Sequence, residues 1–181
     1  MGSSVADQTF VKLNALAKAE KWPMRCDGEL VFERPELRSL LELWRSKAAG
    51  GIPARAAFDM RTLKPFLTHL IILERHGSGE ARRYMFRLFG SAHLQLFGEH
   101  TGRYLDEMVS AKMLPSWLAV YDAVLEMRQP FRIVTHFRMP SSNFLKGEIF
   151  AAPMAGSSGA EDMILAATYV NVHDVVPPPF E

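Results

Sequence analysis

The chain has 181 residues, of which 48% are hydrophobic, and its formal net charge is +1. This length suits one domain with an extension, and two domains only with difficulty. The balanced charge excludes the basic footprint of a nucleic-acid-binding protein, and no run approaches the roughly 20 apolar residues that span a membrane. The single cysteine, Cys26, excludes an intramolecular disulfide. Together with the lack of an apolar signal segment, it predicts a reducing, cytoplasmic location.

Two helices are predicted in the N-terminal part of the chain. Residues 6–20 carry apolar side chains at helical spacing, namely Phe10, Leu13, Leu16 and Ala17. This stripe fits either a helix that is solvated or docked on its own domain, or a dimerisation helix. After a predicted loop at residues 22–34, a second helix begins at Pro35 and ends before Gly50. Its apolar face consists of Leu37, Leu40, Leu41 and Trp44.

From residue 67 onwards the hydrophobic period becomes that of β-strands. Residues 67–74 and 81–89 flank a glycine-rich turn and predict a hairpin. Three further strands are predicted at residues 131–138, 148–154 and 163–172. The last of these is apolar on both faces, which favours a central position in the sheet.

The segment between the hairpin and the third strand is predicted to be helical. Gly90 breaks the second strand, Ser91 can cap a short helix, and Gly98 ends that helix. Gly102 turns the chain before a second short helix, and a long helix follows at residues 111–128. We therefore predict an α+β domain with a five-stranded antiparallel sheet. The short helices and the long helix cover one of its faces, and the N-terminal helices precede it.

These elements divide the chain into three parts. Residues 1–50 form an N-terminal helical extension, and residues 51–174 form the domain. Residues 175–181 contain three consecutive prolines and predict an extended tail.

Four segments carry a resemblance to a known family. They are the Trp44 helix, GGIPARAAFD at residues 50–59, LTHLIILE at residues 67–74, and YMFRLFGSAHLQLFGEHTGRYLDEM at residues 84–108. Through them, residues 40–171 resemble a PAS domain, and most closely a bacterial single-domain PAS family formerly classed as a domain of unknown function. In that family a strand ending in Arg-x-x-Gly-Thr precedes a Thr-Gly-Arg segment. Here residues 87–90 supply the first element, with Ser91 in place of the threonine, and residues 101–103 supply the second.

The resemblance implies a sensory or regulatory role rather than catalysis, and a pocket between the sheet and the helices. The side chains expected around this pocket are Tyr84, Phe86, Leu88, His93, Phe97, Tyr104, Leu118, Tyr121, Ile133, Thr135 and Phe150. In the pocket interpretation, tyrosine and threonine hydroxyl groups orient a ligand. The same side chains also fit a filled core without a ligand, because aromatic and branched residues at these spacings commonly fill protein interiors.

The sequence identifies no cofactor. The six histidines lack metal-site spacings. In haem-binding PAS domains the axial ligand often lies on the long helix, which has no histidine here; Met108, Met113 and Met127 could substitute. His93 is the better histidine candidate, because His136 alternates with arginines on the polar strand face and is predicted to lie at the surface. Chromophores that bond to a cysteine on the small helices do not fit the position of Cys26.

Catalysis has little support, because neither a Gly-x-Ser-x-Gly motif nor a phosphate-binding glycine-rich loop occurs. We therefore predict a non-enzymatic PAS sensor or adaptor that binds a small molecule, a regulatory protein partner, or both. It is predicted to form a homodimer through the N-terminal helices or the exposed sheet face. The alternative is a purely structural interaction module with a filled core. Neither a nucleic acid nor a membrane is an expected partner.

Overall fold

The structure is a computed structural model that describes residues 5–138, 144–160 and 162–176. The helices are α1 (Val5–Ala19), α2 (Pro35–Ala48), α3 (Met60–Leu63), α4 (Leu94–Phe97), α5 (Leu105–Met108) and α6 (Leu114–Met127). The strands are β1 (Met24–Asp27), β2 (Leu70–His76), β3 (Arg83–Phe89), β4 (Phe131–Arg138), β5 (Phe144–Met154) and β6 (Met163–Val176). Most of the predicted tail lies outside the described residues, and its first two residues extend β6. None of the described helices is long and apolar enough to cross a membrane.

The strands form one antiparallel sheet with the order β1-β4-β5-β6-β2-β3. The α+β class and the antiparallel sheet are confirmed, but the sheet has six strands instead of five. The additional strand, β1, lies in the predicted loop and pairs with β4. Asn14 of α1 stabilises its outer edge: the side-chain amide donates to Cys26 O at 2.8 Å, and the Cys26 N–H donates to Asn14 Oδ1 at 2.9 Å.

Both faces of the sheet are covered. Helices α1 and α6 pack on one face, where Phe10 contacts the ring of Phe131 with centroids 4.6 Å apart. Helices α2 and α3 pack on the other face through a second cluster of buried side chains. There the Trp44 indole N–H donates to Pro153 O at 2.9 Å. The expectation of an exposed sheet face is therefore wrong, because the second predicted helix lies on it.

A β-bulge determines which side chains of β3 face α6. The β2–β3 pairing joins Leu73 to Phe86 and Ile72 to Leu88, so Arg87 is an additional residue in β3. Such an insertion reverses the alternation of faces beyond it. Leu88 consequently packs on the α2 face, and Phe89 takes its place beside Phe86 on the α6 face.

The N-terminal segment is part of the same folded body. Phe10 and Ala17 of α1 are buried in the core cluster under α6, and Leu13 packs against it. Val11 and Leu16 remain on the outer surface of α1, with exposed fractions of 66% and 41%. The predicted extension, residues 1–50, thus contributes one strand and two packed helices, α1 and α2, to the folded body.

Candidate ligand-binding site

A cavity of about 480 Å³ lies between the sheet and the segment that runs from α4 to α6. This volume falls within the range of small-molecule sites, which is roughly 300–1,000 Å³. Seven of the lining side chains are aromatic, namely Phe86, Phe89, Phe97, Trp117, Tyr121, Phe137 and Phe144. The chain between α1 and β1 also contributes to the lining through Lys21 and Pro23.

The turn after β3 brings α4 over the cavity. A Cβ atom at Gly90 would lie 2.5 Å from Thr68 O, so only glycine allows this close backbone approach. Ser91 does not cap the helix as predicted, because the helical turn already begins at Ser91 and the N-cap residue is Gly90. Gly98 ends α4 with φ at +80°, as the sequence predicts.

His93 presents one ring nitrogen as an acceptor. The His93 side chain is buried, and Nε2 lies 3.0 Å from His69 O. Because a carbonyl oxygen only accepts, Nε2 carries the hydrogen and Nδ1 keeps its lone pair. Burial lowers the pKa of His93, which favours the neutral ring. Among the described residues, Nδ1 has no hydrogen-bond partner.

Tyr121 provides a second polar group in the wall. Its ring packs against Tyr84 and Trp117, with centroids 5.5 Å and 5.6 Å away. Burial raises the pKa of Tyr121, so the phenol stays protonated. Its hydroxyl forms no hydrogen bond with any residue of the described ranges. Buried hydroxyl groups usually have a partner, so a group at this position is suited to meet a ligand or water.

Other polar side chains near the cavity are already engaged. The Tyr84 hydroxyl donates to Asp122 Oδ1 at 2.7 Å and lies away from the lining. The Thr135 hydroxyl lines the cavity but donates to Pro23 O at 2.9 Å. Among the buried lining side chains of the described residues, those that keep a polar group for a ligand are therefore His93, Tyr121 and Thr168.

The opening of the cavity is basic. Lys21, Lys112 and Ser110 line it and are exposed to solvent. His136 is half-buried and also lines it. The His136 backbone N–H donates to Pro23 O at 2.9 Å, which holds this end of β4 against the α1–β1 connector. Partial burial lowers the pKa of His136.

The structure brings together part of the predicted site. The predicted residues that line the cavity are Phe86, His93, Phe97, Tyr121 and Thr135. Three others belong to the surrounding core without lining the cavity, namely Tyr84, Leu118 and Ile133. That any of them binds a ligand stays a prediction.

Three predicted residues lie elsewhere. Leu88 and Phe150 pack on the α2 face of the sheet. Tyr104 lies beside β3, where the Arg83 guanidinium stacks 3.7 Å from its ring centre. Phe150 was assigned to the wrong face because every residue of β5 from Gly147 to Met154 is buried, which removes the alternation that identifies a core face.

Several lining residues were missing from the prediction. Trp117 was recognisable, because it lies one helical turn before Tyr121 on the predicted apolar face of α6. The position of Phe89 in the lining depends on the bulge, and that of Lys21 depends on how the α1–β1 connector packs. Neither of these features has a local sequence signal.

The described residues provide neither a metal site nor a reactive cysteine. Within residues 5–138, 144–160 and 162–176, no group of three or more histidine, cysteine, aspartate or glutamate residues could hold a metal ion. Cys26 lies in β1, and burial raises the pKa of its thiol to about 12. This thiol is therefore protonated and unreactive at neutral pH.

The antiparallel sheet, with short helices over a ligand-sized cavity, is the fold that the resemblance in the sequence implies. The profile of the PAS domain family matches residues 32–168. The chain belongs to the PAS domain family, which confirms the resemblance seen in its sequence. PAS domains are typically sensory rather than catalytic.

Solved structures with a similar fold share little sequence with this chain. A variant of the PAS-B domain of Drosophila melanogaster Cycle, solved with bound glycerol, is 15% identical and covers 56% of this chain and 99% of its own, with a TM-score of 0.39. A sensory box histidine kinase/response regulator from Burkholderia thailandensis is 12% identical and covers 62% and 83%, with a TM-score of 0.39. The Rhodobacter sphaeroides LOV protein is 12% identical and covers 65% and 70%, with a TM-score of 0.39. No curated protein matches the chain.

Proposed function

We propose that this chain is a non-enzymatic PAS sensor that binds a small molecule in the cavity between the sheet and α4–α6. The observation that carries this proposal is the open volume of about 480 Å³ in a place where a filled core was the alternative. Its aromatic walls suit an apolar ligand body, and His93 and Tyr121 offer polar groups that orient it. Among the described residues, neither a metal cluster nor a reactive cysteine indicates which cofactor or ligand the cavity binds.

The α1–β1 connector suits the transmission of a signal. Lys21 and Pro23 line the cavity, and Pro23 O accepts hydrogen bonds from Thr135 and His136. A ligand that fills the cavity therefore touches the connector, and through it the packing of α1 on the sheet. Binding would shift the population between two packings of α1, which differ in what the outer surface of the helix offers to a partner. The partner would be a second copy of this chain or a regulatory protein.

The alternative is an interaction module whose interior binds nothing. In that case the cavity would remain a packing defect, and interior substitutions that fill it would stabilise the fold without a binding effect. The position of two unpartnered polar groups, His93 Nδ1 and the Tyr121 hydroxyl, favours the sensor, because an unused apolar void needs neither.

A pair of valine substitutions tests the proposal. Val109→Phe narrows the cavity, whereas Val31→Phe adds the same ring at a position that is 71% exposed. We expect the neutral dye Nile red to bind the wild-type protein and Val31→Phe equally. It should bind Val109→Phe at least ~10-fold more weakly, because the added ring occupies apolar volume that the dye needs. Native mass spectrometry of the purified protein would identify a retained molecule.

Hydrogen exchange tests whether ligand binding is transmitted to α1. Hydrogen exchange in α1 should slow or quicken on dye binding in the wild type and stay unchanged in Val109→Phe. Equal dye binding by all three proteins, or none by any, would contradict the sensor and leave the interaction module.

A further inference from the structure

We infer that the ligand is an amphipathic anion, with an apolar body inside the cavity and a single anionic group at its opening. This inference rests on the proposed function and adds the chemical class of the ligand. It follows from a difference between the interior of the cavity, which is neutral, and its opening, which is cationic.

The interior does not accept a charge. Aromatic and aliphatic side chains form most of its wall, and the polar groups available there are uncharged, since Tyr121 keeps its proton, His93 stays neutral and Thr168 is a hydroxyl. An ion in such surroundings loses its hydration without gaining a counter-charge. A charged group of the ligand must therefore lie at the solvent end.

The opening carries two positive charges, and no acidic side chain of the described residues lines the cavity with them. Lys21 and Lys112 both line the cavity, and neither forms an ion pair with a residue of the described ranges. The cavity lining includes no aspartate or glutamate from those ranges. Two ammonium groups at one opening attract an anion and repel a cation.

The backbone supports the position of Lys21. This residue follows α1 with φ at +54°, a left-handed conformation at a helix end where glycine is the unstrained choice. Lysine at this place puts a long cationic side chain at the cavity edge. Lys112, which also lines the cavity, lies just before α6, whose N-terminal end is the positive end of the helix dipole.

Three probes of equal chain length test the charge preference on the full chain. Decanoate, decan-1-ol and decylamine differ in the head group, and calorimetry or tryptophan fluorescence reports binding through Trp117 in the wall. We expect decanoate to bind at least ~10-fold more tightly than the other two, and this preference to shrink as salt rises, because solvent-exposed charges are screened.

Lysine variants test whether the preference for an anionic head group comes from Lys21 and Lys112. The double substitution Lys21→Gln with Lys112→Gln should weaken decanoate binding at least ~5-fold and leave decan-1-ol binding unchanged. Lys64→Gln, an exposed lysine away from the cavity, is the matched control and should change neither. Unchanged decan-1-ol binding also shows that the double variant is folded.

The outcomes separate this inference from the proposed function. Decan-1-ol binding as tightly as decanoate, or a double variant with full affinity for decanoate, would overturn the anionic preference and leave ligand binding in place. Binding of Nile red without any binding of decanoate would overturn it as well. Failure of every probe, Nile red included, would overturn the proposed function itself.

Discussion

The α2 face of the sheet is filled with side chains, whereas the α6 face holds a cavity of about 480 Å³. Strand composition does not explain the difference, because β2 and β6 supply buried aliphatic side chains to both faces. The cover does. The first face is covered by α2, a helix of 14 residues, and by the short α3, while on the second face two helices of four residues each, α4 and α5, connect β3 to α6. A cover assembled from short pieces leaves volume that a single helix would fill.

Two tryptophans with the same exposed fraction test whether the two faces of the sheet are packed differently. Trp44 on the α2 face and Trp117 on the α6 face are each 7% exposed. Trp44→Ala should lower the free energy of unfolding by about 3–5 kcal/mol, since it empties a packed site and leaves Pro153 O without its donor. Trp117→Ala should cost at least ~1 kcal/mol less, because one side of its ring already faces open volume. Urea denaturation measures both, and equal costs would show that the two faces are packed alike.

The next effect concerns the attachment of α2 to the sheet. The Glu148 carboxylate of β5 accepts hydrogen bonds from the backbone N–H groups of Glu33 and Arg34, both at 3.0 Å, and from Arg132 Nε at 2.7 Å. Its side chain is 5% exposed, so these donors have little access to water as a substitute. Glu148→Gln should therefore lower the free energy of unfolding by about 2–3 kcal/mol.

The matched control for this acid is Glu42 on the outer surface of α2. Glu42 pairs with Arg45 at 3.0 Å, but its side chain is 71% exposed. Glu42→Gln should change stability by less than ~0.5 kcal/mol. A similar loss in both variants would mean that Glu148 acts only through net charge and does not hold α2 in place.

A smaller effect, on the cavity side, is a dependence of stability on pH. Burial lowers the pKa of His93 below its ordinary value of 6.5, so the unfolded chain binds this proton more readily than the folded chain. The free energy of unfolding should therefore fall as pH drops below about 6.5. His136, which lines the same cavity, also has a lowered pKa and adds in the same direction.

Denaturation at pH 7 and pH 5 measures this dependence. The decrease should be smaller in His93→Gln than in the wild type, with His136 responsible for part of what remains. His76→Asn, at a histidine whose side chain is 41% exposed, should keep the wild-type decrease. An unaltered decrease in His93→Gln would show that His93 is already charged in the fold.

The sequence was sufficient where one periodic pattern decides the structure. All four apolar residues predicted on α2 are buried, and the helices and strands around the cavity occur in the predicted order. It was insufficient where the structure depends on pairing between distant segments. The four residues of β1 become a strand only through β4 and Asn14, and the face of Leu88 depends on the bulge opposite β2.

The smallest expected effect on stability concerns the outer surface of α1, and it tests the proposed homodimer. Because α2 covers the sheet face that was expected to be free, the exposed apolar side chains of α1, Val11 and Leu16, are the better candidates for contact with a second copy. Leu16→Glu combined with Val11→Glu should change the free energy of unfolding of the monomer by about 0.5 kcal/mol or less, since neither side chain is buried. Light scattering should show a dimer for the wild type and a monomer for this variant, whereas Val31→Glu, at a residue that is 71% exposed, should remain a dimer. A dimer that survives both changes would place the second copy away from α1, and a regulatory protein would then be the partner that the outer surface of α1 meets.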